Sequence, residues 1–127
     1  MLFRSGSNYS GLWSSHLNTG ATYENGWGFS INQDFSTIFG VWYTYGDDGK
    51  PLWVVMPGGS WTGAATYEGP LYTTVGTNFR NAWNPSAYAI KPVGTGKLAF
   101  SGQDEATFTL TVNGIVTTKN VKRFVRY

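Results

Sequence analysis

The sequence contains no cysteine and only one histidine, His16. Without cysteine, neither disulfide bonds nor thiolate metal sites are available to the chain. A single histidine gives no support to a histidine-based catalytic triad and excludes a multi-histidine metal site within one chain. No Gly-x-Ser-x-Gly nucleophile motif is present either. We therefore expect neither a cofactor nor a bound metal.

Charge and long apolar runs are also scarce. Charged residues make up 13% of the chain, where about a quarter is ordinary, and the net charge is +2. Nucleic-acid binding is therefore not expected, since the basic residues cluster only near the C-terminus. No apolar run approaches the length of about 20 residues that spans a bilayer, so no membrane span is expected. A surface of neutral polar groups suits an exported protein that meets neutral polar ligands.

What the sequence does contain is the pattern of β-strands. Short runs rich in Val, Ile, Thr and aromatic residues are separated by Gly, Asn, Asp and Pro, and no helical period is sustained. The length suits one domain. We predict a single all-β domain over residues 8–127, preceded by residues 1–7 as a disordered or foreign extension. The predicted strands are 9–15, 27–32, 37–45, 51–56, 61–66, 70–74, 97–101, 106–112 and 115–121, with 123–127 extending the last.

Two tight turns and one long loop punctuate this pattern. Asn113-Gly114 between alternating strands is typical of a type I′ hairpin, and Asp47-Asp48-Gly49 indicates a second hairpin. Residues 75–93 contain several Asn and Pro and predict a long loop, which in a compact domain is often functional. Strands 37–45 and 51–56 carry apolar side chains on both faces. Either both faces are covered, or one is an exposed aromatic platform.

Gly11-Leu12-Trp13, in the first predicted strand, resembles the Gly-x-Trp signature of the calycins, the lipocalin and avidin superfamily. The resemblance implies an antiparallel eight-stranded up-and-down barrel whose end is plugged by the Trp, with a late Arg across its ring. Arg123 is the candidate for that Arg, and Arg126 is the fallback. A guanidinium on an indole face is physically favourable. A β-sandwich remains the alternative architecture.

A second resemblance covers more of the chain. It rests on segments 24–28, 38–45 and 49–56, together with Gly11-Leu12-Trp13 and the hairpin at 112–117. These are similar to a domain common in exported bacterial proteins, for which we know of no established activity. The resemblance implies a secreted, periplasmic or cell-surface location in a bacterium, with a parent multidomain protein as a possible source of the chain.

Aromatic side chains are the strongest functional signal. Six Trp, eight Tyr and eight Phe make up 17% of the chain. Flat aromatic rings match the apolar C–H face of a sugar, and Trp and Tyr also offer a donor at the ring edge. A small barrel also fills its interior with large rings, and Trp13 is the clearest core assignment. The candidate ligand-binding residues are Trp27, Trp42, Tyr45, Trp53, Trp61 and Trp83.

Three functions compete on this evidence. The leading hypothesis is a non-catalytic module that binds a neutral polysaccharide or glycan through exposed aromatic side chains. The second is a calycin-like carrier that holds a small apolar molecule inside the barrel. The third is a glycoside hydrolase, which needs two carboxylates across a cleft. Glu24 with Glu68, or with Asp34, is the candidate pair, although turn and surface roles account for the acidic residues more simply.

Overall fold

The computed structural model describes residues 7–15 and 24–127, and these form an all-β domain. The predicted extension at residues 1–7, apart from Ser7, lies outside the described residues, as does His16. A single turn of 3₁₀-helix, Pro85–Ala87, is the one helical element of the part described. The strands are β1 (Gly11–Ser14), β2 (Gly28–Asp34), β3 (Thr37–Tyr45), β4 (Pro51–Met56), β5 (Ser60–Gly63), β6 (Thr66–Val75), β7 (Ala89–Phe100), β8 (Glu105–Val112) and β9 (Ile115–Arg126).

These strands close into an antiparallel eight-stranded barrel with one extra strand, β5. The first and last strands pair through Gly11 and Arg126, and β4 meets β6 at Val55 and Tyr72. β5 pairs with the same edge of β6 as β4 does, further along, so it continues the line of β4. The predicted barrel is confirmed, and closure removes the free edges that a sandwich would leave.

Both predicted hairpin turns are present. Asn113 and Gly114 have φ angles of 52° and 81°, which is the left-handed conformation that a type I′ turn requires at both central residues. In the β3–β4 turn, Gly49 has a φ of 76°, and the Gly46 N–H donates to the Lys50 carbonyl over 2.9 Å. Residue types that tolerate a left-handed backbone therefore fix the strand-pairing register of the β3–β4 and β8–β9 hairpins.

The loop predicted at 75–93 is shorter than expected, because β7 begins at Ala89. Leu71 pairs with Gly94 and Tyr72 with Pro92, so Val93 is an extra residue in the ladder. A bulge of this kind accommodates a proline inside a strand. The prediction that residues 61–66 form one strand was also wrong, since β5 ends at Gly63 and β6 begins at Thr66. The two alanines between them carry no turn signal.

An aromatic cluster fills one end of the barrel, called here the closed end. Trp13 is fully buried, and its Nε1–H donates to the Tyr9 carbonyl over 2.9 Å. The Tyr9 ring stacks on Phe100 with 3.7 Å between ring centres, and Phe108 packs 5.8 Å from Trp13. Burying large rings this way supplies much of the hydrophobic stabilisation of a small barrel.

The contact expected between Arg123 and Trp13 is present at this end. The Arg123 guanidinium carbon lies 5.4 Å from the centre of the Trp13 ring. Its N–H groups donate to the carbonyls of Asn8, Ser10 and Gln103 and to the Asp104 carboxylate. Membership of the calycin superfamily stays a prediction.

The other end of the barrel, called here the open end, is where Trp27, Trp42 and Tyr45 lie.

Strand alternation gives β3 and β4 an inner and an outer face. On β3, Ile38 and Trp42 face the barrel interior, whereas Tyr43 is exposed on the outside. On β4, Val54 is buried and Trp53 is exposed. The apolar residues on both faces of these strands therefore combine an interior lining with an outer aromatic surface.

Within the described residues, no helix has the length and apolar character needed to cross a membrane.

Candidate functional site

Half of the six predicted ligand residues meet at the open end. Trp27 lies just before β2, Trp42 points inward from β3, and Tyr45 ends β3. Together they wall a cavity of about 360 Å³, here called the mouth cavity. Ligand sites commonly occupy cavities of a few hundred Å³, including the mouths of β-barrels. Its lining residues are Glu24, Trp27, Phe29, Trp42, Thr44, Tyr45, Phe108, Leu110, Thr117 and Lys119.

The wall of the mouth cavity contains both apolar and polar side chains. Phe29, Phe108 and Leu110 are buried members of the barrel core. Thr44 and Thr117 add hydroxyl groups to the same lining. A ligand here meets both apolar side chains and hydrogen-bonding groups.

A second cavity of about 320 Å³ adjoins the mouth cavity. It extends toward the β3–β4 turn at Asp47 and the β8–β9 turn at Asn113. Trp42 and Tyr45 belong to the walls of both cavities, as do Thr44, Leu110 and Thr117. The two cavities therefore share part of their walls at the open end.

The indole Nε1 of Trp42 is buried and has no hydrogen-bond partner in the part of the chain described. A buried donor without an acceptor costs about 1–3 kcal/mol, and most buried polar groups in native proteins avoid this cost. The Trp42 side chain belongs to the walls of both cavities, so the unsatisfied donor lies beside the space that a ligand would occupy.

Glu24 is held in a defined position at the mouth. Its Oε1 accepts from Trp27 Nε1 and its Oε2 from Lys119 Nζ, both over 2.8 Å. The Glu24 backbone N–H and carbonyl both bond to the Ser15 hydroxyl over 2.9 Å. The hydrogen bond from Lys119 holds the pKa of the Glu24 carboxyl below its usual value, with a smaller contribution from Trp27. Glu24 is thus a carboxylate whose charge Lys119 balances.

The structure does not bring the candidate catalytic carboxylates together. Glu68 alternates with the buried Tyr67 on β6 and so faces outward, where it accepts from the Thr62 hydroxyl over 2.6 Å. Asp34 ends β2 at the closed end, paired with Thr37. Neither side chain lines the mouth cavity that contains Glu24.

Trp61 lies at the closed end. Its Nε1–H donates to the Ser36 carbonyl over 2.7 Å, and its ring meets the edge of Tyr67 with 5.2 Å between ring centres. Tyr9 and Phe100 also pack against it. The structure therefore places Trp61 with the aromatic cluster around Trp13 and away from the mouth cavity.

Trp53 and Trp83 come together on the outer surface. Both line a shallow groove of about 530 Å³, here called the outer groove. Trp53 comes from β4 and Trp83 from the segment that connects β6 to β7. The groove is lined by Trp53, Thr74, Val75, Gly76, Thr77, Asn78, Trp83 and Tyr88.

Sequence reasoning missed the β9 contribution to the mouth. Thr117 and Lys119 lie on the same face of β9 as the buried Val121 and Arg123. That face could have been found from period-two alternation, since side chains two residues apart share a side of the sheet. Tyr88, which lines the outer groove beside Trp83, was hidden inside the segment predicted as loop.

Across residues 7–15 and 24–127, no three His, Asp or Glu side chains are grouped as a metal site would require. No protein-family model, curated protein or solved structure matches this chain significantly.

Proposed function

We propose that this domain is a non-catalytic binding module that takes the end unit of a neutral glycan into its mouth cavity. The observation that carries the proposal is a cavity of about 360 Å³ walled by Trp27, Trp42 and Tyr45, of which Trp42 carries an indole N–H without a partner in the described chain. A sugar unit offers what this site lacks, since it carries hydroxyl and ring oxygens beside an apolar C–H face.

The distribution of apolar and polar groups supports the same ligand. Phe29, Phe108 and Leu110 provide apolar surface in the wall of the cavity. The hydroxyls of Thr44 and Thr117 and the carboxylate of Glu24 provide partners for the ligand's polar edge. A carboxylate has about four acceptor sites. Glu24 therefore retains capacity for ligand hydroxyls while it binds Trp27 and Lys119.

The charge of the site supports a neutral ligand. The Glu24 carboxylate and the Lys119 ammonium are separated by 2.8 Å, so they cancel each other at the mouth. An anionic ligand would have to compete with Glu24 for Lys119, and a cationic ligand would have to compete with Lys119 for Glu24. A neutral ligand leaves the pair intact.

A calycin-like carrier of a small apolar molecule is the second candidate, favoured by the buried rings of Phe29 and Phe108 in the cavity wall. Such a ligand would bury its surface against these rings at about 25 cal/mol per Å². A pure hydrocarbon would leave the Trp42 donor unsatisfied, which is why the glycan is preferred.

Hydrolysis of the glycan is not part of the proposal. A glycosidase needs a carboxylic acid with a raised pKa to protonate the leaving group. The pKa of Glu24 is shifted in the opposite direction by Lys119.

The same proposal includes export from a bacterial cell, to the periplasm, the cell surface or the medium. It is supported by the low charge of the chain and its many neutral polar residues.

The first test is calorimetric titration with a panel of neutral monosaccharides and short oligosaccharides, with sugar release measured in parallel. Trp42→Phe keeps an aromatic ring and removes the N–H, and we expect it to weaken sugar binding at least about tenfold. Phe79→Leu, which changes an exposed ring outside both the mouth cavity and the outer groove, is the control and should bind as the wild type does.

Each other outcome identifies a different function. If no sugar binds but an apolar fluorescent dye enters and an apolar compound displaces it, the carrier replaces the glycan module. If reducing sugar accumulates and Glu24→Gln stops it, the domain is an enzyme. Equal sugar affinities of the wild type and Trp42→Phe would show that the mouth cavity is not the binding site.

A further inference from the structure

We infer that the outer groove is a second binding site, which holds an internal stretch of a neutral polysaccharide chain. The inference rests on the proposal that the ligand is a neutral glycan, and it assigns a separate surface to the body of the polymer. Trp53 and Trp83, from distant parts of the sequence, line this groove together with Tyr88.

The position of the groove follows from the way the barrel closes. β4 and β6 pair at a single position, Val55 with Tyr72, whereas the other neighbouring strands of the barrel pair over several residues. On the open-end side of that position, Trp53 of β4 and Thr74 of β6 line the groove from opposite strands. A shallow channel therefore runs over the outer surface where the two strands separate.

The segment between β6 and β7 has a fixed shape that presents Trp83. The Thr77 hydroxyl accepts from the Asn84 N–H over 2.9 Å and donates to the Asn84 carbonyl over 3.2 Å. The Asn84 side chain accepts from the Ser86 N–H at the start of the 3₁₀ turn. These bonds order residues 77–86 before a ligand arrives, which lowers the entropic cost of binding.

Trp83 is supported on one side and open on the other. A Cβ built on Gly76 would lie 3.6 Å from Trp83 Cη2, so the indole packs against the Gly76 backbone. Its ring centre lies 6.4 Å from that of Tyr88. The side chain is nevertheless 64% exposed, and Trp53 and Tyr88 are 54% and 48% exposed. Several large rings exposed together on one surface are typical of an interaction site.

The chemistry of the lining selects a neutral polar polymer. None of the lining residues carries a charge, and Thr74, Thr77 and Asn78 place hydroxyl and amide groups beside the rings. Sugar rings stack their C–H faces on indole and phenol rings while their hydroxyls bond to such neighbours. Because the groove is open along the surface, a chain can enter and leave it at both ends. The more enclosed mouth cavity suits a chain end.

The experiment measures retention by a long polymer separately from binding of a short sugar. Wild type and the double variant Trp53→Ala/Trp83→Ala are compared by depletion from solution onto a panel of insoluble neutral polysaccharides. The same proteins are titrated with short oligosaccharides in solution. Phe79→Ala is the control, since Phe79 lies on the same segment and is 95% exposed but does not line the groove.

We expect the double variant to lose polymer affinity by at least about tenfold, as for truncation of aromatic anchor residues. Its short-sugar affinity, its unfolding midpoint and the polymer affinity of Phe79→Ala should stay at the wild-type values. The inference is overturned if the double variant keeps wild-type polymer affinity, or if the wild type is retained by no polysaccharide. If the wild type binds no short sugar but is retained by a polysaccharide, and the double variant loses that retention, the mouth cavity is not a sugar site and the groove stands.

Discussion

The guanidinium of Arg123 covers the ring of Trp13 at 5.4 Å, and both side chains are buried at the closed end of the barrel. Trp13 lies in β1 and Arg123 in β9, so this contact joins the first and last strands of the barrel. Arg123 also binds three backbone carbonyls and the Asp104 carboxylate. The contact therefore combines ring packing, chain closure and satisfied polar groups in one place.

Replacing Arg123 by Met should lower the free energy of unfolding by about 3 kcal/mol or more. Met keeps most of the aliphatic packing but removes three partly buried hydrogen bonds, to the carbonyls of Asn8, Ser10 and Gln103, and hydrogen bonds from a charged donor contribute about 1.5–3 kcal/mol each. Urea denaturation followed by far-ultraviolet circular dichroism measures the change.

Arg126→Met is the matched control, because Arg126 also binds Asp104 but is largely exposed. Exposed ion pairs contribute about 0–1 kcal/mol, so this variant should stay close to the wild type. Similar losses in the two variants would mean that Arg123 acts only through its charge near Asp104.

The glycine of the Gly-x-Trp signature has a steric role that can be tested. A Cβ built on Gly11 would lie 2.2 Å from the Val125 carbonyl oxygen and 2.7 Å from Arg123 Cδ. Gly11→Ala should therefore push β1 away from β9 and lower the thermal unfolding midpoint by several degrees, as expected for a loss of a few kcal/mol. Gly102→Ala, where a Cβ has no neighbour within 4 Å, should leave the midpoint unchanged. Equal midpoints for both variants would show that β1 shifts without cost.

The barrel could be predicted from the sequence because its signals are local. β3 and β4 begin and end where the alternation of apolar residues predicts, at Thr37–Tyr45 and Pro51–Met56. The turn at Asn113-Gly114 fixed the register of the last hairpin. The start of β7 was missed because Pro92 looks like a strand breaker, and only pairing with Tyr72 across a bulge keeps it in the ladder.

The candidate site was harder to predict because it depends on which residues meet in three dimensions. Aromatic content identified Trp27, Trp42 and Tyr45, but it identified Trp61 equally well, and Trp61 belongs to the closed end. Trp27, Trp42 and Trp61 are all half-buried, so their position along the barrel separates them, and that position follows from strand pairing between distant segments. The contact between Glu24 and Lys119 spans 95 residues of sequence, and no local pattern shows it.

Acid should weaken the contribution of Glu24 to stability. The pKa of Glu24 is lowered in the folded state, chiefly by Lys119, so its stabilising contribution is complete above the ordinary value of 4.5. That contribution is lost as the pH falls through the lowered pKa. Glu24→Gln should therefore be less stable than the wild type near pH 7 by less than about 1 kcal/mol, because both partners are more than one-third exposed.

Urea denaturation of both proteins between pH 7 and pH 3 measures this difference. It should be constant above about pH 5 and shrink below, because only the wild type carries the titrating group. The difference should also fall at high salt, which screens exposed pairs. A difference that persists unchanged at the lowest pH would show that Glu24 acts through packing or through its Trp27 hydrogen bond alone.

Trp13 and Trp42 should respond differently to loss of their buried N–H groups. Trp13→Phe leaves the buried Tyr9 carbonyl without its donor and should destabilise the fold by about 2–4 kcal/mol. Trp42→Phe removes a donor that has no partner in the described chain, so relief of its desolvation cost offsets the lost packing. We expect a change of less than about 1.5 kcal/mol for Trp42→Phe. Urea denaturation of the two variants in parallel measures both values. Equal losses would mean that the Trp42 donor is satisfied in solution, and the cavity would then lose the unmet group that favours a ligand oxygen.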